Sequence, residues 1–260
     1  MQILFRDEFF VVVNKPRDML VHRSDIDRRA ATSAMQQTRD LLGGWVYPVH
    51  RLDRPTAGAL MFALSPEAAR RISAAFARGE VTKTYLAVVR GHASAEDVIR
   101  YPLKERLDRM TDGRARSDKS PQDAVTAYRR LATVELPVAV GRYASARYSL
   151  LQVLPRTGRR HQIRRHMKHI FHPVIGDTSH GDGRHNRLFR DRFDNRRLLL
   201  AAAGLCWRHP YTGRATAVSA PLDADFQGIV RRLGWAALFS HDGLFDAGPD
   251  DEQCYRAMAI

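Results

Sequence analysis

The chain opens on two short apolar runs, Ile3 to Phe5 and Phe9 to Val13, separated by Arg6-Asp7-Glu8. β-Branched and aromatic residues on either side of a polar triplet predict a β-hairpin running out into Asn14-Lys15-Pro16, beyond which the pattern reads as loop. Ser65-Pro66-Glu67 supplies an N-cap, a first-turn proline and an early acid. Ala68, Ile72, Ala75 and Phe76 then recur at helical spacing, which predicts a helix ending at Gly79. Val81 to Val89 reads as a strand, and its period of two places Val81, Lys83, Tyr85, Ala87 and Val89 on one face. Lys83 and Tyr85 therefore point the same way.

From Lys104 to Asp123 the sequence turns polar and predicts a long exposed loop. Strand patterns resume over Ala124 to Val134 and Tyr143 to Leu154. Pro155-Arg156-Thr157-Gly158 reads as a turn feeding a helix from about His161 to His169, with Gly158 at its entrance. Turns come next at Gly176-Asp177 and Gly181-Asp182-Gly183, then a buried apolar run from Leu198 to Leu205 and a hairpin over Trp207 to Val218 around Tyr211-Thr212-Gly213. Residues from Ser240 onward are polar and turn-rich, as in a loosely packed tail. Hairpin strands interleaved with helices imply an α+β fold on a mixed or largely antiparallel sheet. The expected division is a catalytic domain over 1–239 and a tail over 240–260.

Charge changes the picture more than size does. A chain of 260 residues with 44% hydrophobic content can bury a sizeable core. Its formal net charge of +14, from 42 Lys and Arg against 28 Asp and Glu, points to a polyanion, most simply nucleic acid. More than half of that surplus falls between Arg156 and Arg197, where a phosphate-contacting surface competes with an ordinary solvated helix face and basic loop. The longest apolar runs are far short of a bilayer span, so no membrane partner is expected. Met1 to Asp7 shows no leader pattern, which predicts a cytoplasmic protein. Cys206 and Cys254 lack CxxC spacing and read as lone structural thiols.

His50-Arg51-Leu52-Asp53-Arg54-Pro55-Thr56-Ala57-Gly58 carries the chemistry, setting one carboxylate between two guanidiniums in a segment closed by Pro55 and Gly58. Alone, an Arg-Asp neighbour pair is an ordinary surface ion pair. Two further blocks stand with it, Lys83-Thr84-Tyr85 and Thr157-Gly158-Arg159-Arg160-His161-Gln162-Ile163-Arg164. His161, His166, His169 and His172 could suggest metal. The stretch is crowded with Arg, lacks HExxH or paired Cys, and has no carboxylate nearer than Asp177, so no metal is expected.

Together these blocks resemble the RluA-type pseudouridine synthases over about residues 3 to 235. His50 to Gly58 matches the family's HRLDxxTSG block with Ala57 in place of Ser, Val13-Asn14-Lys15-Pro16 its first motif, and Lys83 and Tyr85 its KxY strand. Thr157 to Arg164 matches its TGRxHQxR block, continued by His172-Pro173-Val174-Ile175-Gly176-Asp177. A second departure is Leu200-Ala201-Ala202, where members usually have Leu-His-Ala. Leu20-Val21-His22-Arg23-Ser24, Leu131-Ala132-Thr133-Val134-Glu135 and Thr178-Ser179-His180-Gly181-Asp182 are similar to the subgroup acting on tRNA at uridine 65, in the T stem. The resemblance implies a bisected sheet with the active cleft along its middle; many relatives carry an N-terminal S4-type appendage, and none is expected here because the catalytic pattern starts almost at residue 1.

It also implies isomerisation of uridine to pseudouridine without a cofactor, with Asp53, Tyr85 and Arg164 as the catalytic set. Asp53 must be ionised to act as nucleophile or as base, and Arg164 beside it favours that form. A uridine in a stem must leave the stack, and Tyr85 can then stack on the everted base. Arg51 resembles the residue that fills the vacated gap, Lys83 supports the site or a phosphate, and Leu200 is the apolar neighbour of the base. Arg159, Arg160 and His161 are further candidates for holding substrate, His161 also for orienting its loop by hydrogen bonding. The expected partner is tRNA, bound by a monomer. A ribosomal RNA substrate, or a non-catalytic RNA-binding protein, is the alternative.

Overall fold

The computed structural model describes residues 1–22, 32–105 and 120–239. The N-terminal hairpin forms from β1 (Gln2–Arg6) and β2 (Phe10–Lys15), with Asp7 accepting the backbone N–H groups of Phe9 and Phe10 at 2.7 Å to close the turn. The stretch beyond β2 is not loop throughout. Residues 23–31 lie outside the described part, but α1 (Ala34–Leu42), capped by Ser33 and a left-handed Gly43, is succeeded by β3 (Tyr47–Pro48) and β4 (Ala57–Ala63). Every residue of β4 is buried, so it shows no inside-outside alternation, and its small residues lie close to the Pro55 and Gly58 that read as loop signals.

α2 (Pro66–Arg78) has the cap read from the sequence, with Ser65 Oγ accepting from Ala68 N–H and Gly79 left-handed at the C-terminus. β5 (Val81–Arg90), β6 (Glu96–Arg100), β7 (Val125–Leu136) and β8 (Ala146–Pro155) come next. In the long polar stretch, residues 106–119 lie outside the described part, and Leu103 and Gln122 pair at its foot. α3 (Gln162–His169) matches the predicted helix, while α4 (Gly183–Phe193) organises part of the Arg-rich segment, burying Phe189 and Phe193 and exposing Arg184, Arg187, Arg190 and Arg192. β9 (Leu200–Arg208) and β10 (Ala215–Ser219) form the second hairpin, and α5 (Ala224–Arg232) packs beneath.

Among the described residues the strands form one sheet in the order β1-β2-β4-β9-β5-β8-β7-β6, with β3 on β4 and β10 on β9. Every neighbouring pair is antiparallel except β4 and β9, which run parallel and meet only at Ala57↔Ala201 and Gly58↔Ala202. The sheet is thus two antiparallel halves joined by a short parallel seam. One apolar group, with Val11, Val13, Leu60 and Phe62, belongs to the first half. Another, with Ala87, Leu151, Val153 and Ile163, belongs to the second, and Tyr85 packs against both.

Two expectations are corrected. Cys206 is buried in β9 and is disulfide-bonded rather than a lone thiol; Cys254 and the proposed tail, 240–260, lie outside the described residues. Arg197, counted with the basic surface, is buried and paired with Asp223, since a guanidinium removed from water needs a carboxylate partner. No helix among the described residues is long and apolar enough to cross a membrane.

Candidate active site

Asp53 lies in the loop between β3 and β4, its carbonyl accepting from Thr56 N–H at 3.0 Å in a tight turn. Leu52 is buried and Arg51 exposed, so the chain twists through the motif and leaves the Asp53 side chain 20% exposed. Lys15, fully buried at the end of β2, donates to the carbonyls of Pro16 at 2.9 Å, Met19 at 2.8 Å and Arg54 at 3.1 Å. Those bonds tie the Asp53 loop to the first hairpin. Burial draws the Lys15 amine down to about 8, against the raising effect of the Asp18 and Asp53 charges.

Arg164 comes from the first turn of α3, far away in sequence, and its guanidinium serves two acids. Nε and Nη2 donate to Asp177 at 2.7 and 2.9 Å, and Nη1 donates to Asp53 Oδ2 at 3.0 Å. The fork to Asp177 fixes the plane of the guanidinium, and the remaining edge is thereby aimed at Asp53. Burial alone would pull Arg164 toward its neutral form, but the bonds and charges of Asp177 and Asp53 raise its pKa. Burial likewise works against ionised Asp177, yet the hydrogen bonds and charge of Arg164 and the N–H groups of Ser179 and His180, at 2.9 Å each, hold its carboxyl below the usual carboxylate range.

Asp177 was visible in the sequence only as a turn residue and as the end of a motif block. Its service to Arg164 depends on a contact that no local pattern encodes. Gln162 was missed for the same reason: its Oε1 accepts from Thr157 Oγ1 at 2.7 Å and Arg159 N–H at 3.0 Å, while its Nε2 donates to Val125 O and Thr126 Oγ1 at 2.9 Å each. It locks the Thr157-Gly158 turn onto β7 and so places the start of α3.

Tyr85 lies in β5, half-buried, at the seam between the two halves. Burial, and then the Asp53 charge, push its phenol up from the ordinary value, so it stays protonated. Leu200 is 3% exposed in the apolar group beneath Tyr85. Lys83 donates to Thr157 O at 3.3 Å, and burial lowers its amine to about 8. His161 sits at the head of α3 with its Nε2 4.0 Å from Asp53 Oδ2. Asp53, Arg164, Tyr85 and His161 are thus brought together, with Leu200 below and Lys83 at the neighbouring turn, whereas Arg51, Arg159 and Arg160 stand exposed. The two departures from the family pattern meet: Ala57 and Ala201 occupy facing register positions in the seam, both buried.

The other histidines are engaged separately. His166 bonds Thr126 Oγ1 and Tyr101 O, His172 bonds Arg90 O, and His169 stacks on Tyr101 at 3.7 Å. Among the described residues no group of three or more His, Cys, Asp or Glu is placed to hold a metal ion.

The sequence profile described as RNA pseudouridylate synthase matches residues 9–169, which include Asp53, Tyr85 and Arg164. The chain is 51% identical over 235 residues to the tRNA pseudouridine synthase C of Vibrio cholerae, covering 90% of this chain and 96% of that one. It is 48% identical over 241 residues to the protein of the same name from Yersinia pestis, covering 93% and 94%. Among solved structures, human RNA pseudouridylate synthase domain containing 1 superposes with a TM-score of 0.63 at 29% identity, over 85% of this chain and 83% of that one. The profile match over residues 9–169 and relatives about half identical over nine-tenths of the chain show that it belongs to the RNA pseudouridylate synthase family.

Proposed function

We propose that this protein isomerises uridine to pseudouridine in tRNA, at position 65 of the T stem, with Asp53, Arg164 and Tyr85 as its catalytic residues and residues 1–239 as the catalytic unit. The observation that carries the reading is the ion pair of Asp53 with Arg164 beside Tyr85, where the two halves of the sheet part. The reaction breaks the N1–C1′ bond, turns the uracil, and joins C5 to C1′; the C5 hydrogen is lost and N1 takes up a proton, so no oxidant or cofactor is consumed. Attack of the carboxylate on C1′, attack on C6, and removal of the 2′ proton all require an ionised Asp53, which Arg164 favours. The Tyr85 ring offers an apolar face to the everted base, with Leu200 behind it. Arg51 fills the gap the base leaves, and Lys83, Arg159, Arg160 and His161 hold the surrounding RNA.

The relatives' shared name, which specifies tRNA, supports the substrate class. The protein is read as a monomer acting where tRNA is matured, in the cytoplasm. The test is tritium release from tRNA carrying C5-tritiated uridine, with the modified position then mapped. Wild-type protein is expected to release tritium and modify position 65, and Asp53→Asn to stop release while still binding tRNA. Turnover by that variant, or modification of ribosomal RNA in place of tRNA, overturns the proposal.

A further inference from the structure

His161, placed above only among the groups that hold RNA, forms with His180 a pair that no step of the reaction above uses. His161 Nδ1 lies 2.9 Å from His180 Nε2, and the opposite nitrogen of His161, Nε2, faces Asp53 Oδ2 at 4.0 Å. His161 holds a left-handed backbone, φ 54°, at the N-cap of α3 without bonding the helix through its side chain. A non-glycine residue in that region is strained, and a cap position whose side chain ignores the helix gives up the usual compensation. The side chain is turned to His180, which is 4% exposed and whose own N–H is anchored on Asp177.

Two imidazoles at this distance share one N–H, and only one of the two arrangements suits the acid. If His161 donated from Nδ1, its bare Nε2 lone pair would face the Asp53 carboxylate. If His180 donates from Nε2, His161 accepts at Nδ1 and carries its own proton on Nε2, toward Asp53. We infer that His180 is a positioning residue that fixes the tautomer of His161, so that His161 presents an N–H to Asp53 Oδ2, the oxygen that Arg164 also holds. Arg164 donates to Oδ2 and the His161 N–H is directed at the same oxygen, while no hydrogen bond reaches Oδ1 among the described residues, which leaves Oδ1 to the substrate. The 4.0 Å gap is longer than a hydrogen bond, and closes by about 1 Å when substrate packs the site.

The groups facing His161 are Asp53, Asp177, Arg164, Arg160 and His180. Burial, the largest influence, lowers its pKa, and the charges of Asp53 and Asp177 only partly oppose it. The ring is therefore neutral at working pH, and its tautomer is what matters.

This inference rests on Asp53 as the catalytic carboxylate, but its first readout does not. In the free wild-type protein at about pH 8, ¹⁵N imidazole shifts should show His161 protonated at Nε2 and bare at Nδ1; the opposite tautomer overturns the proposal. In turnover, His180→Gln keeps a donor and should hold kcat near wild type. His180→Phe should lower kcat about tenfold, the effect of one lost hydrogen bond, with KM for tRNA within about twofold. His161→Ala should lose as much, and the double variant no more than either single change, because the two act in series. Equal losses in the Gln and Phe variants, or a loss confined to KM, also overturn it. Activity surviving Asp53→Asn would sink the proposed function while leaving the tautomer measurement standing.

Discussion

Gly58 lies against Ala202 across the parallel seam so closely that a Cβ on Gly58 would sit 2.0 Å from the Ala202 carbonyl oxygen and 2.7 Å from its carbon. Gly58 also has φ 120°, a conformation other residues resist. The last residue of the Asp53 motif is therefore fixed by the backbone that lets β4 and β9 meet.

Gly58→Ala should cost on the order of 3 kcal/mol, from overpacking against rigid backbone together with the unfavourable φ. Gly43, left-handed at φ 65° and with nothing within 4 Å of where a Cβ would stand, is the control. Gly43→Ala should cost only about 1 kcal/mol, the conformational part alone. Urea denaturation of both variants measures the difference, and equal losses would remove the seam from the explanation.

Arg164→Met should be more damaging than the Asp53 contact alone suggests, because it abandons Asp177, whose side chain has no exposure. Leaving that buried acid unpaired should cost about 3–5 kcal/mol. Lys in its place keeps the charge but cannot hold both acids in one plane, so Arg164→Lys should fold better than the Met variant yet lose about a hundredfold or more in turnover. The sign of the pH dependence comes from Asp177. Its folded pKa is below its usual 3.8, so its contribution is complete above that value and is lost as pH falls through the lower folded one. Arg164→Met should therefore unfold in acid at a higher pH than wild type, a shift read from acid titration of the circular dichroism.

Local signals made α2, both hairpins and α3 legible, because caps, turn residues and periodicity are written within a few neighbouring positions. β4 escaped because a strand buried on both faces has no period to read, and α1 because its apolar residues are few. The site divided in the same way. Asp53, Tyr85 and Arg164 were singled out through the resemblance of their residue blocks to a known family, and the fold sets Arg164 on Asp53 with Tyr85 between the two apolar groups. Asp177, Gln162 and His180 do their work through contacts made only when α3 and the segment after it close over the seam. Arg197 shows the limit of counting charge: it sits in the most basic stretch of the chain and faces inward to Asp223.

His50 gives a stability test independent of catalysis. Its Nε2 accepts the Met61 N–H at 2.9 Å and its ring stacks on Phe76, so the fold requires the neutral ring. Burial, and then the Lys83 charge, lower its pKa from 6.5 to about 3. The unfolded chain therefore takes up a proton at a pH where the folded one does not. The contribution is complete above pH 6.5 and drains away as pH falls toward 3, by up to about 1.4 kcal/mol per pH unit. His50→Gln, whose amide oxygen can accept the same N–H, should flatten the stability profile between about pH 7 and pH 5. An unchanged slope in that variant would assign the acid sensitivity elsewhere.

Lys83 gives the corresponding test for substrate binding. Its amine, lowered to about 8 by burial, bonds Thr157 O beside the turn that opens α3, where the basic residues Arg159 and Arg160 also emerge. A group with that pKa is charged at neutral pH and loses its charge as pH rises through about 8, so any phosphate contact it makes weakens over the same interval. Wild-type affinity for tRNA should fall between about pH 7 and pH 9. Lys83→Arg, which stays protonated throughout, should bind with a flatter profile. Lys83→Met should bind more weakly at about pH 7, and the slope of log affinity against log salt should fall by about one, as for one lost phosphate contact. Fluorescence anisotropy with labelled tRNA measures all three proteins. If wild type and the Arg variant keep the same profile across that interval, Lys83 serves only to brace the Thr157 turn.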